Sequence, residues 1–328
     1  MRSRGVVGAV LALGLCLSAS QAQSQSTWKP TRPAEIVLPA SPGGSVDQMS
    51  RSIKRFAEDQ KLIDVPFNVI YKTGANGAIA LEYLAQNQGK GEIVLASVHT
   101  FLTVRETGDS KYDYRDLTTL GLLFKEYHVI AVRPDSPIKD GRALIDKLRK
   151  DPSSVSFGFF GNPGNHLHLG AAIPLKAAGV DIKKMLTVQY RSGPEALTAV
   201  VGGHLDAALV TLSVAQPLVE AGRLKVLTQT APTRRGGYLA SVPTWRDLGV
   251  NVEYATAQGV LGTKGMTAEQ IAYWEGILSG LSQDEEWKKL LARNYWEPAY
   301  MTSAEMKRYY DEEHAKLKAV LGELGLLK

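Results

Sequence analysis

Ile36-Val37-Leu38-Pro39-Ala40-Ser41-Pro42-Gly43-Gly44-Ser45-Val46-Asp47 and, further on, Val155-Ser156-Phe157-Gly158-Phe159-Phe160-Gly161-Asn162-Pro163-Gly164-Asn165-His166-Leu167-His168 share one plan. Each is an apolar, strand-like run that breaks into a Gly/Pro/Ser/Asn turn and then opens a helix. A helix starting at such a turn points free backbone N–H groups outward, and its dipole adds partial positive charge there. An anion is stabilised at that position. Two such turns on two lobes would grip the two ends of one small acidic molecule.

Around these turns the chain alternates strand and helix. Glu35–Leu38, Val65–Tyr71 and Glu92–Ser97 read as strands. Between them lie a helix from Ser45 or Asp47, with Met49, Ile53, Phe56 and Ala57 on one face, and a second helix over Ala78–Asn87. This β-α-β-α-β order argues for parallel strands covered by helices. Leu117–Phe124 leads to Val129–Val132, which ends at Arg133-Pro134-Asp135-Ser136-Pro137. The rhythm repeats through strands at Val155–Phe160, Leu186–Tyr190, Leu205–Val210 and Leu224–Thr228, with helices at Gly141–Lys150, Asn165–Ala178, Gly193–Val201 and near Gln216–Ala221. Strand-like pieces at Val252–Thr256 and Gly259–Leu261 follow, then helices at Thr267–Ser279, Gln283–Asn294 and Ser303–Gly322. The fold expected is α/β in two lobes, each a mostly parallel sheet flanked by helices, the second inserted into the first. The chain crosses near Leu123–Glu126 and Val250–Ala255, and two crossover strands make a hinge about which lobes close on a ligand. Residues 23–125 with 251–328 form the first lobe, and residues 126–250 the second.

The amino terminus reads as an export signal. Arg2 and Arg4 precede an apolar stretch from Gly5 to Leu17, and Ser20-Gln21-Ala22 is a small-x-small cleavage site. The apolar stretch is shorter than the about 20 residues a membrane span needs. Cleavage after Ala22 removes the single cysteine, Cys16. Leu13-Gly14-Leu15-Cys16 loosely resembles a lipoprotein box, with Leu15 where a small residue is expected, so lipid anchoring at Cys16 is the alternative. Without a thiol, disulfides, Cys-ligated metals and cysteine nucleophiles drop out. The formal charge of +5 is mild and scattered. With no basic stripe interleaved with aromatics, nucleic-acid binding is not expected. No later stretch is apolar over the roughly 18 residues of a span.

An ordered set of motifs then resembles one family. Leu38–Asp47 is similar to the P-(Y/F)-x-x-G-G-x-x-D loop of the Bug/TctC periplasmic solute-binding proteins of tripartite tricarboxylate transporters. Asn68–Gly77 resembles V-x-N-x-P-G-A-G-G, Asn162–Leu169 resembles G-x-G-S-x-x-H-L, and Val188–Gly193 resembles V-P-Y-(R/K)-G. Gly202–Asp206, Ala221–Leu227 and Val242–Thr244 with Leu248-Gly249 continue the series in family order. The resemblance implies a type II periplasmic binding protein fold without catalytic residues. It also implies that the first loop holds a ligand carboxylate through backbone groups and ordered water, and that the second-lobe loop closes over the other end. Thr73 stands where Pro is usual and Asn76 where Gly is usual. Gly161, Asn162 and Asn165 also depart from the pattern in the second-lobe loop; the alternation of Phe159 and Phe160 beside it reads first as burying one ring in the core, and second as leaving room for an aromatic acid.

Candidate ligand contacts follow from position. Gly43 and Gly44 let backbone approach a ligand with no Cβ in the way, and Ala40 and Ser41 share their turn. Asp47 would repel an anion and reads as the organiser of the turn. Ser97 and His99 end a strand, where open α/β sheets face their crevice. Gly161, Asn162, Gly164, Asn165 and His168 form the second turn, His168 tying the loop or reaching ligand, while His166 reads as a surface residue. Arg191 offers a guanidinium fork to a carboxylate, or to a surface ion pair, and Ser213 follows a strand toward the gap.

Catalytic and metal motifs are not found: there is no Gly-x-Ser-x-Gly elbow, no His-Glu-x-x-His and no phosphate loop, and six histidines show no ligand spacing. The expected function is capture of a small carboxylated solute, a di- or tricarboxylic or aromatic acid, in the periplasm by a monomer without cofactor, for delivery to membrane transporter subunits. A ligand-sensing adaptor for a membrane receptor, presenting the same fold, is the rival reading, and a secreted hydrolase a remoter one.

Overall fold

The computed structural model describes residues 28–328; the export signal, its cleavage point and Cys16 lie outside the described residues. In chain order the first elements are β1 (Ala34–Leu38), α1 (Ser45–Asp59), β2 (Phe67–Tyr71), α2 (Ala78–Ala85) and β3 (Ile93–Ser97). A strand of 15 residues follows, β4 (Thr118–Val132). Next come α3 (Gly141–Lys150), β5 (Ser156–Phe160), α4 (His166–Ala177), β6 (Leu186–Tyr190), α5 (Gly193–Val201), β7 (Ala207–Thr211), α6 (Leu212–Glu220) and β8 (Lys225–Gln229). The chain ends through β9 (Ala255–Gly262), α7 (Ala268–Gln283), α8 (Glu285–Arg293), β10 (Glu297–Thr302) and α9 (Ser303–Leu324).

Two parallel sets sit at the ends of one sheet. β1 pairs β2 and β3 in parallel, and β5 pairs β6 and β7 in parallel. The strands between them run antiparallel: β9 pairs β3 and β4, while β4 also pairs β7, β8 and β10. A chain that leaves a lobe and comes back must reverse direction, so its crossover strands oppose each other. β4 serves both lobes. Thr118–Tyr127 faces β9, whereas His128–Val132 faces β7. At about 3.3 Å per residue, β4 spans roughly 50 Å. Nearly every β4 residue is buried, and α6, α7 and α9 pack against the strand.

Helix faces account for the core. On α1, Met49, Ile53 and Ala57 are buried at helical spacing and pack with Trp274, Trp287 and Trp296. α9 buries Met306, Tyr310, Leu317 and Leu321. It begins at a capping box made by Thr302 and Glu305 and stops at Gly325, whose φ of 70° suits glycine. Leu169 of α4 joins the first-lobe core beneath α9, while Val320 and Leu324 of α9 pack on the second-lobe core, so α9 rides across the junction.

Candidate functional site

Three turns at the carboxyl ends of β1, β3 and β5 carry most of the expected residues. In the β1–α1 turn, Ser41, Gly43 and Gly44 are exposed, Ala40 is half-buried and Asp47 is buried. Gly43 takes φ +91°, and its N–H donates to Asp47 Oδ2 at 2.9 Å. Asp47 Oδ1 accepts from the Tyr71 hydroxyl at 2.6 Å and from Arg51 Nε at 3.0 Å. Burial alone would raise the Asp47 pKa; these donors outweigh it and hold the carboxyl below its ordinary range. The N-cap of α1 is Gly44, which has no side chain to accept from the first-turn amides. A Cβ built on Gly43 or Gly44 meets nothing within 4 Å. The turn is therefore an uncapped helix start with open space before it.

The β5–α4 turn is arranged differently. Asn165, the N-cap of α4, accepts from Leu167 N at 3.0 Å and His168 N at 2.9 Å, and its Nδ2 donates to Phe160 O at 2.6 Å. His168 stacks on Phe159 with ring centroids 5.1 Å apart and accepts from Gly164 N through Nδ1 at 3.0 Å. Desolvation lowers its pKa to about 4. The turn also touches the first lobe. Asn162 Nδ2 donates to Asp109 Oδ1 at 2.8 Å, Asn76 Nδ2 donates to Asp109 Oδ2 at 2.9 Å, and Asn162 N donates to Asn76 Oδ1 at 3.3 Å. Gly161 has φ +87°, and a Cβ there would lie 2.4 Å from Asn165 Nδ2 and 3.1 Å from Asn76 Oδ1. At Gly164 a Cβ would meet Thr107 at 2.6 Å.

At the end of β3, the Ser97 hydroxyl lies 2.7 Å from that of Tyr310. His99 is buried and accepts from Ala257 N through Nδ1 at 3.3 Å. His166, read from sequence as a surface residue, instead turns its ring inward: Nδ1 lies 2.8 Å from Thr100 Oγ1, and the ring centroid is 6.1 Å from that of His128. The first residue of α4 thus reaches the end of β3.

The two remaining candidates, Ser213 and Arg191, belong to none of these three turns. Ser213 donates to Glu126 Oε1 at 2.7 Å. Glu126 is fully buried on β4 and also accepts from Gln258 Nε2 at 3.1 Å and Trp296 Nε1 at 3.2 Å. Burial raises its pKa against the lowering effect of those donors. Gln258 Nε2 donates to Ser45 Oγ at 2.9 Å, so a polar chain links the start of α1 to Ser213 across the junction. Arg191 is exposed, and its N–H donates to Glu195 Oε2 at 3.0 Å. Sequence reasoning did not name Asp109, Glu126, His128, Tyr254 or Gln258 as site residues. The strand-interior charge at Glu126 was the one available signal, since a buried carboxylate requires partners.

Two surface hollows of about 280 and 430 Å³ lie elsewhere, one beside Leu224–Leu227 and one along α2. Among the described residues no group of three or more His, Cys, Asp or Glu is placed to hold a metal ion. Nor is any described helix long and apolar enough to cross a membrane.

Residues 56–326 match the family described as tripartite tricarboxylate transporter family receptor, TctC. The Cupriavidus necator protein in the gbd 5′ region is 27% identical over 99% of this chain and 96% of its own. Protein BugT of Bordetella pertussis is 22% identical, with 97% of each chain covered. Among solved structures, an R. palustris protein with adipate superposes with a TM-score of 0.79 at 22% identity, covering 90% of this chain and 98% of its own. MatC from Rhodopseudomonas palustris with bound malate gives a TM-score of 0.75 at 20% identity, covering 89% and 99%. These structures share the two-lobed fold of periplasmic binding proteins with this chain.

Proposed function

Because the chain belongs to the tripartite tricarboxylate transporter receptor family, we propose that it captures a small carboxylated solute between its lobes and delivers it to the membrane subunits of such a transporter. The observation that carries this reading is the β1–α1 turn: an uncapped start of a 15-residue helix, open in front, whose own carboxylate, Asp47, is turned inward onto Gly43, Tyr71 and Arg51. An anion placed there meets backbone amides and the positive end of the helix. Adipate and malate in two proteins of the same fold support an acidic ligand.

The contact set proposed is Ala40, Ser41, Gly43, Gly44 and Asp47 from the first turn; Ser97 and His99 after β3; Gly161, Asn162, Gly164, Asn165 and His168 from the second turn; and Arg191 and Ser213. Asp47 acts by shaping the turn. Residues 23–125 with 251–328 and residues 126–250 are the two closing bodies. The protein works in the periplasm after cleavage behind Ala22, as a monomer without a cofactor, and binds without turnover.

A melting-temperature screen tests this. Binding to the native state raises Tm with ligand concentration, so small di- and tricarboxylates and aromatic acids should raise it and their amides should not. Upward shifts with the amides alone would reverse the reading.

A further inference from the structure

Four rings converge beneath the start of α4, one or two from each part of the molecule. His99 comes from the first lobe, His166 from the second, and His128 and Tyr254 from the two crossovers. Ring centroids are 6.0 Å apart for His99 and Tyr254, 5.5 Å for His128 and Tyr254, and 6.1 Å for His128 and His166. His99, His128 and Tyr254 are buried to 2%, 0% and 4% exposure. Among the described residues, His99 Nε2, both ring nitrogens of His128 and the Tyr254 hydroxyl have no hydrogen-bond partner. Four unmatched polar atoms in one buried cluster run against the rule that buried polar groups are paired. Three of them belong to His128 and Tyr254 on the adjoining crossover segments, and the fourth, on His99, faces them from the end of β3.

The chemistry of the cluster narrows what fills it. His99 Nδ1 accepts from Ala257 N, so the neutral ring carries its proton on Nε2 and offers a donor. The Tyr254 hydroxyl is a second donor that also accepts, and His128 offers one of each. The surroundings disfavour charge. Desolvation lowers His99 to about 3 and His166 to about 4, and moves His128 well below 6.5. Lys125, whose charge acts on His99, is held over the Tyr309 ring 5.0 Å from its centroid. Glu313 bears on Tyr254 from α9 and would repel a second anion.

We propose that His99, His128 and Tyr254 form a neutral polar subsite that receives an uncharged hydroxyl or carbonyl group of the ligand, at the end away from its carboxylate. This rests on the carboxylate reading above and sharpens it: the preferred solute is a hydroxy- or oxo-carboxylic acid, not a plain dicarboxylate. A second carboxylate would be desolvated among neutral rings, whereas a hydroxyl would satisfy donor and acceptor alike.

Calorimetry on the purified protein tests this with straight-chain acids from butanoate to octanoate. At each length the plain acid, its ω-hydroxy derivative and the dicarboxylate are compared. At the best length the hydroxy acid should bind at least about tenfold more tightly than both, since sites built to hydrogen-bond a hydroxyl reject analogues lacking it. In Tyr254→Phe and His128→Phe that ratio should fall toward one, with melting temperatures confirming folding; Tyr254→Phe keeps the ring and preserves the test if the histidine variant fails to fold. A tighter dicarboxylate, equal affinities in the unaltered protein (a cluster served by water alone), or a ratio unchanged in Tyr254→Phe overturns the subsite while leaving the carboxylate reading intact. If no acid of any kind binds, both fall.

Discussion

In the first lobe, the turn between β1 and α1 ends on a glycine N-cap with open space in front of it, and its one carboxylate is folded back underneath. In the second lobe, the turn between β5 and α4 opens from similar sequence, yet Asn165 occupies the first amides of its helix and Asn162 reaches the opposite lobe. Strand, Gly/Pro turn and helix are common to both. The difference lies in which side chain stands at the N-cap. Gly44 leaves amides for a ligand, whereas Asn165 satisfies them internally and frees the turn to act as a contact surface. On the proposed reading the first turn holds the anion and the second closes over the other end of the ligand.

The largest effect is expected from Gly44→Trp. Gly44 has φ −77°, which any L-residue adopts, and its missing Cβ points into open space, so the fold should survive with little change in Tm. The indole would fill the space in front of α1, and binding of carboxylic acids by calorimetry should be lost. Retained affinity would show that the open turn is not the anion site.

Asp47→Ala should come next, destabilising the protein by about 2–3 kcal/mol, because the variant leaves the Tyr71 hydroxyl, Arg51 and Gly43 N without their shared acceptor. Its pH dependence has a definite sign. The folded-state pKa lies below the ordinary value of 3.8, so the charged form stabilises the fold above that value, and the contribution fades as pH falls through the folded pKa. Urea melts of the two proteins should therefore differ most at neutral pH and converge in acid. A constant difference would mean that the carboxylate's charge is irrelevant to the turn.

Much of this division could be read from the chain, and the limits have physical causes. α3 and β6 coincide with the residues assigned from sequence, because each is short, bounded by turn residues and patterned for one structure. β4 was read as two apolar runs because Lys125 and Glu126 interrupt it. In the fold Glu126 is buried and bonded to Ser213, Trp296 and Gln258, none of them near in sequence. β9 was split in the same way around Ala257 and Gln258. β10 went unassigned: Pro298 sits within it, and its half-buried residues form no apolar stripe. Within the site, contacts inside a single turn, such as Gly43 to Asp47, span few residues and can be inferred from spacing. The ring cluster joins residues from four separate stretches of chain, and only the topology brings them together.

The second turn yields a smaller stability change. Asn165→Ala removes the cap from α4 and should cost about 1–2 kcal/mol in urea melts. If Asn165→Ala is neutral, the contrast between a capped and an uncapped turn loses its energetic basis.

The smallest effect on unfolding, and the most specific, is expected from Asp109→Ala. Asp109 accepts from Asn76 and Thr107 within its own lobe and from Asn162 in the other; Asp109, Asn76 and Asn162 lie at least partly in solvent, and buried Thr107 keeps a second acceptor in Val104 O. Exchange with water leaves each such bond about 0.5–1.5 kcal/mol, little of which reports on global unfolding, because each lobe keeps its core without them. The loss should appear in the equilibrium between separated and apposed lobes. Small-angle scattering should show a larger mean radius for Asp109→Ala than for the unaltered protein, and ligand affinity should fall several-fold with the site itself intact. A double-mutant cycle isolates the bridging bond: Asn162→Ala should add little once Asp109 is gone, since the two share one contact. Full additivity of the two substitutions, or an unchanged radius, would mean that the second turn rests against the first lobe without holding it.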